Sequence, residues 1–101
     1  MLILTESNFK ENVNEGLVLV DFYTETCGPC KRLAPILNEL QNIKVCKVDA
    51  TKNSGLCAEF NISAVPTLIF FKNGTEVQRL LGLTGKDKIQ QIIDDLNNTV
   101  I

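Results

Sequence analysis

Two cysteines lie two residues apart in the segment TETCGPCKR, residues 24–32. A pair of thiols at this spacing can bind a metal ion, form a structural disulfide or exchange with other disulfides. The chain has two further cysteines, Cys46 and Cys57, but no histidine, whereas a structural zinc site needs two close pairs or one pair with histidines. Metal binding is therefore disfavoured, and we expect Cys46 and Cys57 to pack as small apolar side chains.

The residues after the first cysteine of the motif have the spacing of a helix. Apolar side chains recur every three to four residues over 33–40, which places Cys27 at the start of a helix and Cys30 one turn further along. Backbone N–H groups and the helix dipole lower the pKa of a cysteine at that position and favour the thiolate that attacks disulfides. Gly28 has no side chain and lets the backbone pass close by. Pro29 has no backbone N–H, and this suits the first turn of a helix because the N–H groups there have no partner within the helix. The motif therefore favours redox chemistry.

A carboxylic acid, Asp21, interrupts the apolar run LVLVDFY at residues 17–23. The run is typical of a strand buried on both faces, so the carboxyl is either turned to solvent or buried with a raised pKa. The length of the run favours burial, and a buried carboxyl behind a thiol pair can accept and return protons as Cys30 reacts. Lys47 on a neighbouring strand is either the partner of this carboxyl or an exposed strand lysine.

A proline precedes a further apolar run in AVPTLIFF, residues 64–71. Proline at the beginning of a strand either starts an edge strand or forms a cis peptide bond in a turn. A cis bond at Pro66 would expose the backbone groups of Val65 and Thr67, with which an extended peptide can pair as an added strand.

The elements that must hold these residues alternate between strand and helix. The order predicted is βαβαβαββα, which requires parallel pairs with crossovers and a final antiparallel hairpin. This is an α/β fold with a central mixed sheet of four to five strands and helices on both faces. Thr84 and Asp87 resemble a capping box on the last helix. Strands are predicted over residues 2–4, 17–23, 43–50, 67–71 and 75–81, and helices over 7–13, 27–41, 54–60 and 84–98.

Composition sets the broad class of the protein. A chain of 101 residues with 45% hydrophobic residues suits a single domain spanning 1–101. Its net charge of −2 gives no basic surface for nucleic acid, and its first residues lack the pattern of a signal peptide or a membrane span. We expect a cytoplasmic monomer with no nucleic-acid or membrane partner, in a compartment where structural disulfides are rare.

Several segments together resemble the thioredoxin family. They are VDFY followed three residues later by CGPCK, Pro35 in the following helix, VPT before a strand, FKNG at the hairpin and the late Gly82. The match covers the whole chain in order, and Asp21, Lys47, Pro66 and Gly82 stand at the family's characteristic positions.

The resemblance implies a protein-disulfide reductase and dithiol electron carrier with a thioredoxin fold. Cys27 is then the nucleophile that attacks a substrate disulfide, and Cys30 is the resolving thiol. Asp21 is the buried acid that helps to deprotonate Cys30, with Lys47 as its neighbour. The family binds no cofactor itself, and a flavin-containing thioredoxin reductase, usually using NADPH, returns it to the dithiol form.

The resemblance also implies a substrate groove beside the disulfide. Pro66 is then a cis-proline that faces the disulfide, and Gly82 is a surface glycine that lets partners dock closely. The expected substrate-binding residues are Thr26, Gly28, Pro29, Val65, Pro66, Thr67 and Gly82.

The sequence departs from the family where tryptophan is usual. Thr26 precedes the first cysteine in place of tryptophan, Tyr23 replaces another, and the chain has no tryptophan at all. The change removes a large flat apolar contact from the docking surface. It leaves open a dedicated electron donor for one reductase or peroxidase partner. A non-catalytic binding module is a further alternative, although it would need neither the two cysteines nor Asp21.

Overall fold

The computed structural model describes residues 1–99, so the last two residues of the predicted domain lie outside the described residues. Within this range the order of elements is the predicted βαβαβαββα. Their bounds are β1 Leu2–Leu4, α1 Phe9–Val13, β2 Leu17–Tyr23, α2 Gly28–Asn38, β3 Lys44–Asp49, α3 Ser54–Glu59, β4 Thr67–Lys72, β5 Thr75–Leu81 and α4 Lys86–Asn97.

The five strands form one mixed sheet in the order β1-β3-β2-β4-β5. β1 and β2 both pair with β3 in parallel, whereas β4 is antiparallel to β2 and to β5. The β4–β5 hairpin turns at Asn73 and Gly74, which both have positive φ, as the tight turn of a two-residue hairpin requires. The predicted mixed sheet is confirmed, and the strand that precedes the cysteine motif lies at its centre.

Helices cover both faces of the sheet, as predicted. Successive side chains of a strand point to opposite faces, so Val18, Val20 and Phe22 of β2 join a core beneath α1 and α3. Leu19 points the other way, into a second core closed by buried residues of α2 and α4. By the same alternation Asp21 lies on the α2 side of the sheet, behind the cysteine motif.

Three predictions about helix ends are wrong. α1 begins at Phe9 rather than at residue 7. α2 ends at Asn38 rather than at residue 41, because its last turn is tighter than an α-helix. The N–H groups of Glu39 and Leu40 donate to carbonyl groups three residues back, at 3.1 and 3.3 Å. Thr84 and Asp87 form no capping box, because Gly85 is the cap of α4 and Asp87 is then its second helical residue. None of the described helices is both long and apolar enough to cross a membrane.

Candidate active site

The cysteine motif lies at the junction between β2 and α2. The central strand ends at Tyr23, and Cys27 is the N-cap of α2. The backbone N–H of Cys30 donates to the Cys27 sulfur at 3.2 Å, and Pro29 occupies the first turn. A disulfide bond joins Cys27 and Cys30. The sulfur of Cys27 therefore faces a helix N-terminus, as predicted, where a donor and the helix dipole favour a thiolate in the reduced protein.

The two sulfur-bearing residues differ in accessibility. Cys30 is 4% exposed, whereas Cys27 is half-buried and its neighbours Thr26 and Gly28 are exposed. Pro29 is half-buried. A partner protein can therefore approach the disulfide from the side of Cys27, across a rim formed by the short residues that flank it.

The segment before β4 packs against the disulfide. The peptide bond between Val65 and Pro66 is cis, as the family resemblance predicts. The carbonyl oxygen of Val65 lies 3.9 Å from the Cys27 sulfur, and the hydroxyl of Thr67 donates to the Ala64 carbonyl at 2.7 Å. Val65 is half-buried while Pro66 and Thr67 are buried, so of these three residues Val65 is the most open to a bound chain.

Gly82 lies next to the cis-proline. Its N–H donates to the Pro66 carbonyl at 2.9 Å, and its φ is +81°, a conformation that favours glycine. The flanking Leu81 and Leu83 are 71% and 45% exposed. Sequence reasoning did not single out these leucines, although the strand alternation that packs Leu80 against the core turns Leu81 outward.

Asp21 is buried behind the disulfide, as predicted. It is 3% exposed and lines a cavity of about 270 Å³ together with Cys30 and Ala34 of α2. Its Oδ1 atom has no hydrogen-bond partner among the described residues. Burial raises the pKa of this carboxyl to about 7, an effect that the positive charge of Lys47 partly offsets.

Lys47 lies next to Asp21 on β3, in direct register with it. It is half-buried, and its ammonium lies 5.1 Å from the centre of the Tyr23 ring. Within residues 1–99, Glu76 and Arg79 form an ion pair at 2.8 Å, and Asp21 and Lys47 do not form one. Lys47 is thus neither a freely exposed strand lysine nor a direct partner of the carboxyl.

The cavity also brings together residues that sequence reasoning did not assign to the site. Met1 and Tyr23 line it beside Asp21 and Lys47. Tyr23 follows Asp21 by two residues, so the alternation of β2 was a usable signal for its position on the same face. Nothing comparable pointed to Met1, because its place depends on how β1 pairs with β3.

The remaining cysteines lie away from the disulfide. Cys46 is inaccessible in the core on the other face of the sheet, and Cys57 packs against that core with its sulfur 3.6 Å from the Ala50 carbonyl. Burial raises the pKa of both thiols. Among the residues that the structure describes, no three His, Cys, Asp or Glu side chains are arranged to hold a metal ion.

Comparisons with known proteins agree with this geometry. A sequence model of the thioredoxin family matches residues 1–95. The chain is 40% identical over 95 residues to a thioredoxin of Chlamydia trachomatis, covering 90% of this chain and 93% of that protein. It is 38% identical over 96 residues to a thioredoxin of Staphylococcus haemolyticus, covering 90% and 92%.

Solved structures give the same result. The fold superimposes on a mutant thioredoxin of Halobacterium salinarum with a TM-score of 0.89 and 30% identity, over 99% of this chain and 93% of that one. Thioredoxin of Plasmodium falciparum gives a TM-score of 0.85 and 35% identity, over 94% and 98%. With its cysteine pair joined at the start of α2, the chain belongs to the thioredoxin family of disulfide oxidoreductases.

Proposed function

We propose that the protein is a general protein-disulfide reductase and dithiol electron carrier. The observation that carries this proposal is the asymmetry of the disulfide. Cys27 is partly exposed at a helix N-terminus, and Cys30 is buried one turn behind it. An accessible sulfur with a donor at 3.2 Å suits the attacking group, and a shielded sulfur suits the group that completes the exchange.

The exchange proceeds in two balanced steps. The Cys27 thiolate attacks one sulfur of a target disulfide, so a mixed disulfide forms and one target thiolate leaves. The Cys30 thiolate then attacks the Cys27 sulfur, the mixed disulfide breaks and the second target thiolate leaves. The target gains two electrons and becomes a dithiol, while Cys27 and Cys30 are oxidised to the disulfide.

Asp21 is proposed to receive the proton that Cys30 loses before its attack. The two residues line one cavity, and a carboxyl with a pKa of about 7 exchanges protons readily near neutral pH. The Lys47 charge beside it limits how far burial raises that pKa. Both residues are therefore assigned to the catalytic machinery as groups that serve Cys30.

The surface around Cys27 is proposed to bind an extended segment of the target. Val65 offers backbone groups beside the Cys27 sulfur, and an extended chain can pair with such groups as an added strand. Gly82 leaves space next to this segment, because a side chain built there meets no atom within 4 Å. The residues proposed to bind the target are Thr26, Gly28, Pro29, Val65, Pro66, Thr67 and Gly82. Pro66 and Thr67 are buried, so their proposed part is to hold Val65 in place.

A thioredoxin reductase, an NADPH-dependent flavoenzyme, is proposed to return the disulfide to the dithiol. The carrier itself is proposed to act as a cytoplasmic monomer of one domain, residues 1–101, without a bound cofactor. A coupled assay with purified reductase and NADPH tests the recharging step. With oxidised carrier alone, NADPH oxidation should stop after one equivalent per carrier, whereas a disulfide target should sustain it.

Single thiol variants test the exchange mechanism. Cys27→Ser is expected to abolish reduction of insulin disulfides, because the attacking sulfur is gone. Cys30→Ser is expected to accumulate mixed disulfides with targets, since the second step cannot occur. Cys57→Ser is the matched control, because it removes a half-buried thiol away from the site and should retain activity. Normal turnover by Cys30→Ser would rule out the two-thiol mechanism.

The exposed Thr26 supports a second candidate, a dedicated electron donor for one partner. A threonine next to Cys27 offers less flat apolar area for unspecific docking than tryptophan would. Targets captured from a lysate by Cys30→Ser, identified by mass spectrometry, separate the two candidates. A general reductase captures many proteins, whereas a dedicated donor captures one dominant species.

A further inference from the structure

Lys47 has two possible partners on the same face of the sheet. Asp21 lies directly opposite it on the neighbouring strand, where the strands are separated by about 4.8 Å. Tyr23 lies two residues further along that strand. The Lys47 ammonium lies 5.1 Å from the centre of the Tyr23 ring, inside the range of about 6 Å for an attractive cation–π contact. The structure thus shows the lysine with the ring and not with the carboxylate.

The position of the Lys47 ammonium determines whether the carboxyl of Asp21 can exchange a proton. Its buried Oδ1 has no partner among the described residues, and the cavity connects Asp21 with Cys30. A direct ion pair with Lys47 would favour the ionised form of the carboxyl and occupy one of its two oxygens. An ammonium that stays on the ring acts on Asp21 only through its charge.

We propose that Tyr23 is a positioning residue of the exchange reaction. Its ring holds the Lys47 ammonium beside Asp21 but out of contact with it, and this leaves the carboxyl free to exchange a proton with Cys30. The inference rests on the proposed role of Asp21 and adds the residue that keeps this role available. The residue is one of those at which the chain departs from the usual tryptophan.

Other charged or titratable groups lie around Asp21 and Tyr23 on the neighbouring elements. Four of them line the same cavity as Asp21: Cys30 and Lys31 of α2, Glu25 in the loop after β2, and Met1 just before β1. Asp49 lies opposite Tyr23 on β3. Burial, and then nearby carboxylates, raise the pKa of the Tyr23 hydroxyl, so the ring is neutral at physiological pH. All of these groups stay unchanged when only Tyr23 and Lys47 are varied.

The test is a titration of Asp21 in the oxidised protein, in which Cys27 and Cys30 carry no titrating thiol. The carboxyl carbon of aspartate is labelled with ¹³C and followed by NMR. Replacing the ring by Tyr23→Leu releases Lys47 to pair with Asp21, so the pKa of Asp21 should fall by about half a unit. Tyr23→Phe keeps the ring face and should leave the titration unchanged. Tyr23→Val is a second ring-free variant if the leucine variant folds poorly.

A second pair of variants separates positioning from a change in burial. In a Lys47→Met background, Tyr23→Leu should leave the pKa of Asp21 where Lys47→Met alone puts it, because no ammonium remains to be released. A fall of the same size in that background would overturn the proposal, since it would show that the ring acts by shielding the carboxyl. An unchanged or raised pKa in Tyr23→Leu itself would also overturn it.

These titrations do not depend on any exchange activity. Failure of the proposed function would appear in the Cys27→Ser and Cys30→Ser assays, with the Asp21 titration unaffected. As a kinetic readout, the pH profile of mixed-disulfide resolution should move to lower pH in Tyr23→Leu and stay in place in Tyr23→Phe. A profile that stays in place in both variants would contradict a positioning role.

Discussion

Replacing Asp21 by asparagine should stabilise the protein at alkaline pH and have little effect at acidic pH. The carboxyl is 3% exposed, and its Oδ1 has no partner among residues 1–99. Ionising it inside the protein is therefore costly, and burial raises its pKa from the ordinary 3.8 to about 7. Asparagine has nearly the same shape and carries no charge at any pH.

The sign and size follow from proton linkage. Between the ordinary pKa of 3.8 and the folded pKa of about 7, the folded protein keeps a proton that the unfolded chain has released. Stability is therefore lost as the pH rises through this window and levels off above it. Relative to a pH at which the carboxyl is protonated in both states, ionisation of Asp21 lowers the free energy of unfolding by about 4 kcal/mol at about pH 8. At about pH 4 it lowers it by less than about 1 kcal/mol. The difference in free energy of unfolding between Asp21→Asn and the parent protein should therefore grow by a similar amount from about pH 4 to about pH 8.

Urea unfolding of the oxidised proteins, followed by far-UV circular dichroism because the chain has no tryptophan, measures this difference at both pH values. Asp49→Asn is a matched control with the opposite sign. Hydrogen bonds from Thr51 lower the pKa of buried Asp49, so its stabilisation is present at neutral pH and is lost on acidification. An advantage of Asp21→Asn that is the same at both pH values would refute the argument.

Three further predictions concern the elements that hold the site. Gly82→Ala should lower stability by about 1–2 kcal/mol in urea unfolding, because φ is +81°. Gly28→Ala should not lower it, because Gly28 has helical backbone and an added side chain meets no atom within 4 Å. Leu33→Ala, at an inaccessible position of α2, should cost about 2–5 kcal/mol in the same assay. In the native reduced protein, iodoacetamide followed by mass spectrometry should modify Cys27 and spare Cys46, whose burial raises its pKa; rapid labelling of Cys46 would contradict its packing.

The arrangement of strands and helices was predictable because each element carries its own pattern. The run at 17–23 predicted a doubly buried central strand, and the Asn73–Gly74 turn fixed the final hairpin. Helix ends were less predictable. The tightened last turn of α2 and the shift of the α4 cap to Gly85 depend on local backbone bonding that residue type alone does not specify.

The candidate site was predictable where a residue conflicts with its surroundings. Asp21 was indicated as an acid inside an apolar strand, and Pro66 as a proline directly before a strand. The position of Lys47 was not predictable, because it depends on two competing partners that lie within reach only after β2 and β3 pair. Met1 lines the cavity because β1 pairs with β3, and a methionine in the sequence does not indicate that pairing.

The separation of the two cores by the sheet has a practical consequence. The disulfide, Asp21 and Lys47 lie on the α2 side, whereas packed phenylalanine rings fill the side covered by α1 and α3. Exposed residues of those two helices, such as Lys10 and Glu59, offer attachment points on the face opposite the disulfide. We expect that fluorophores, affinity handles or a linker to a solid support placed there would present the reactive face outward in a defined orientation.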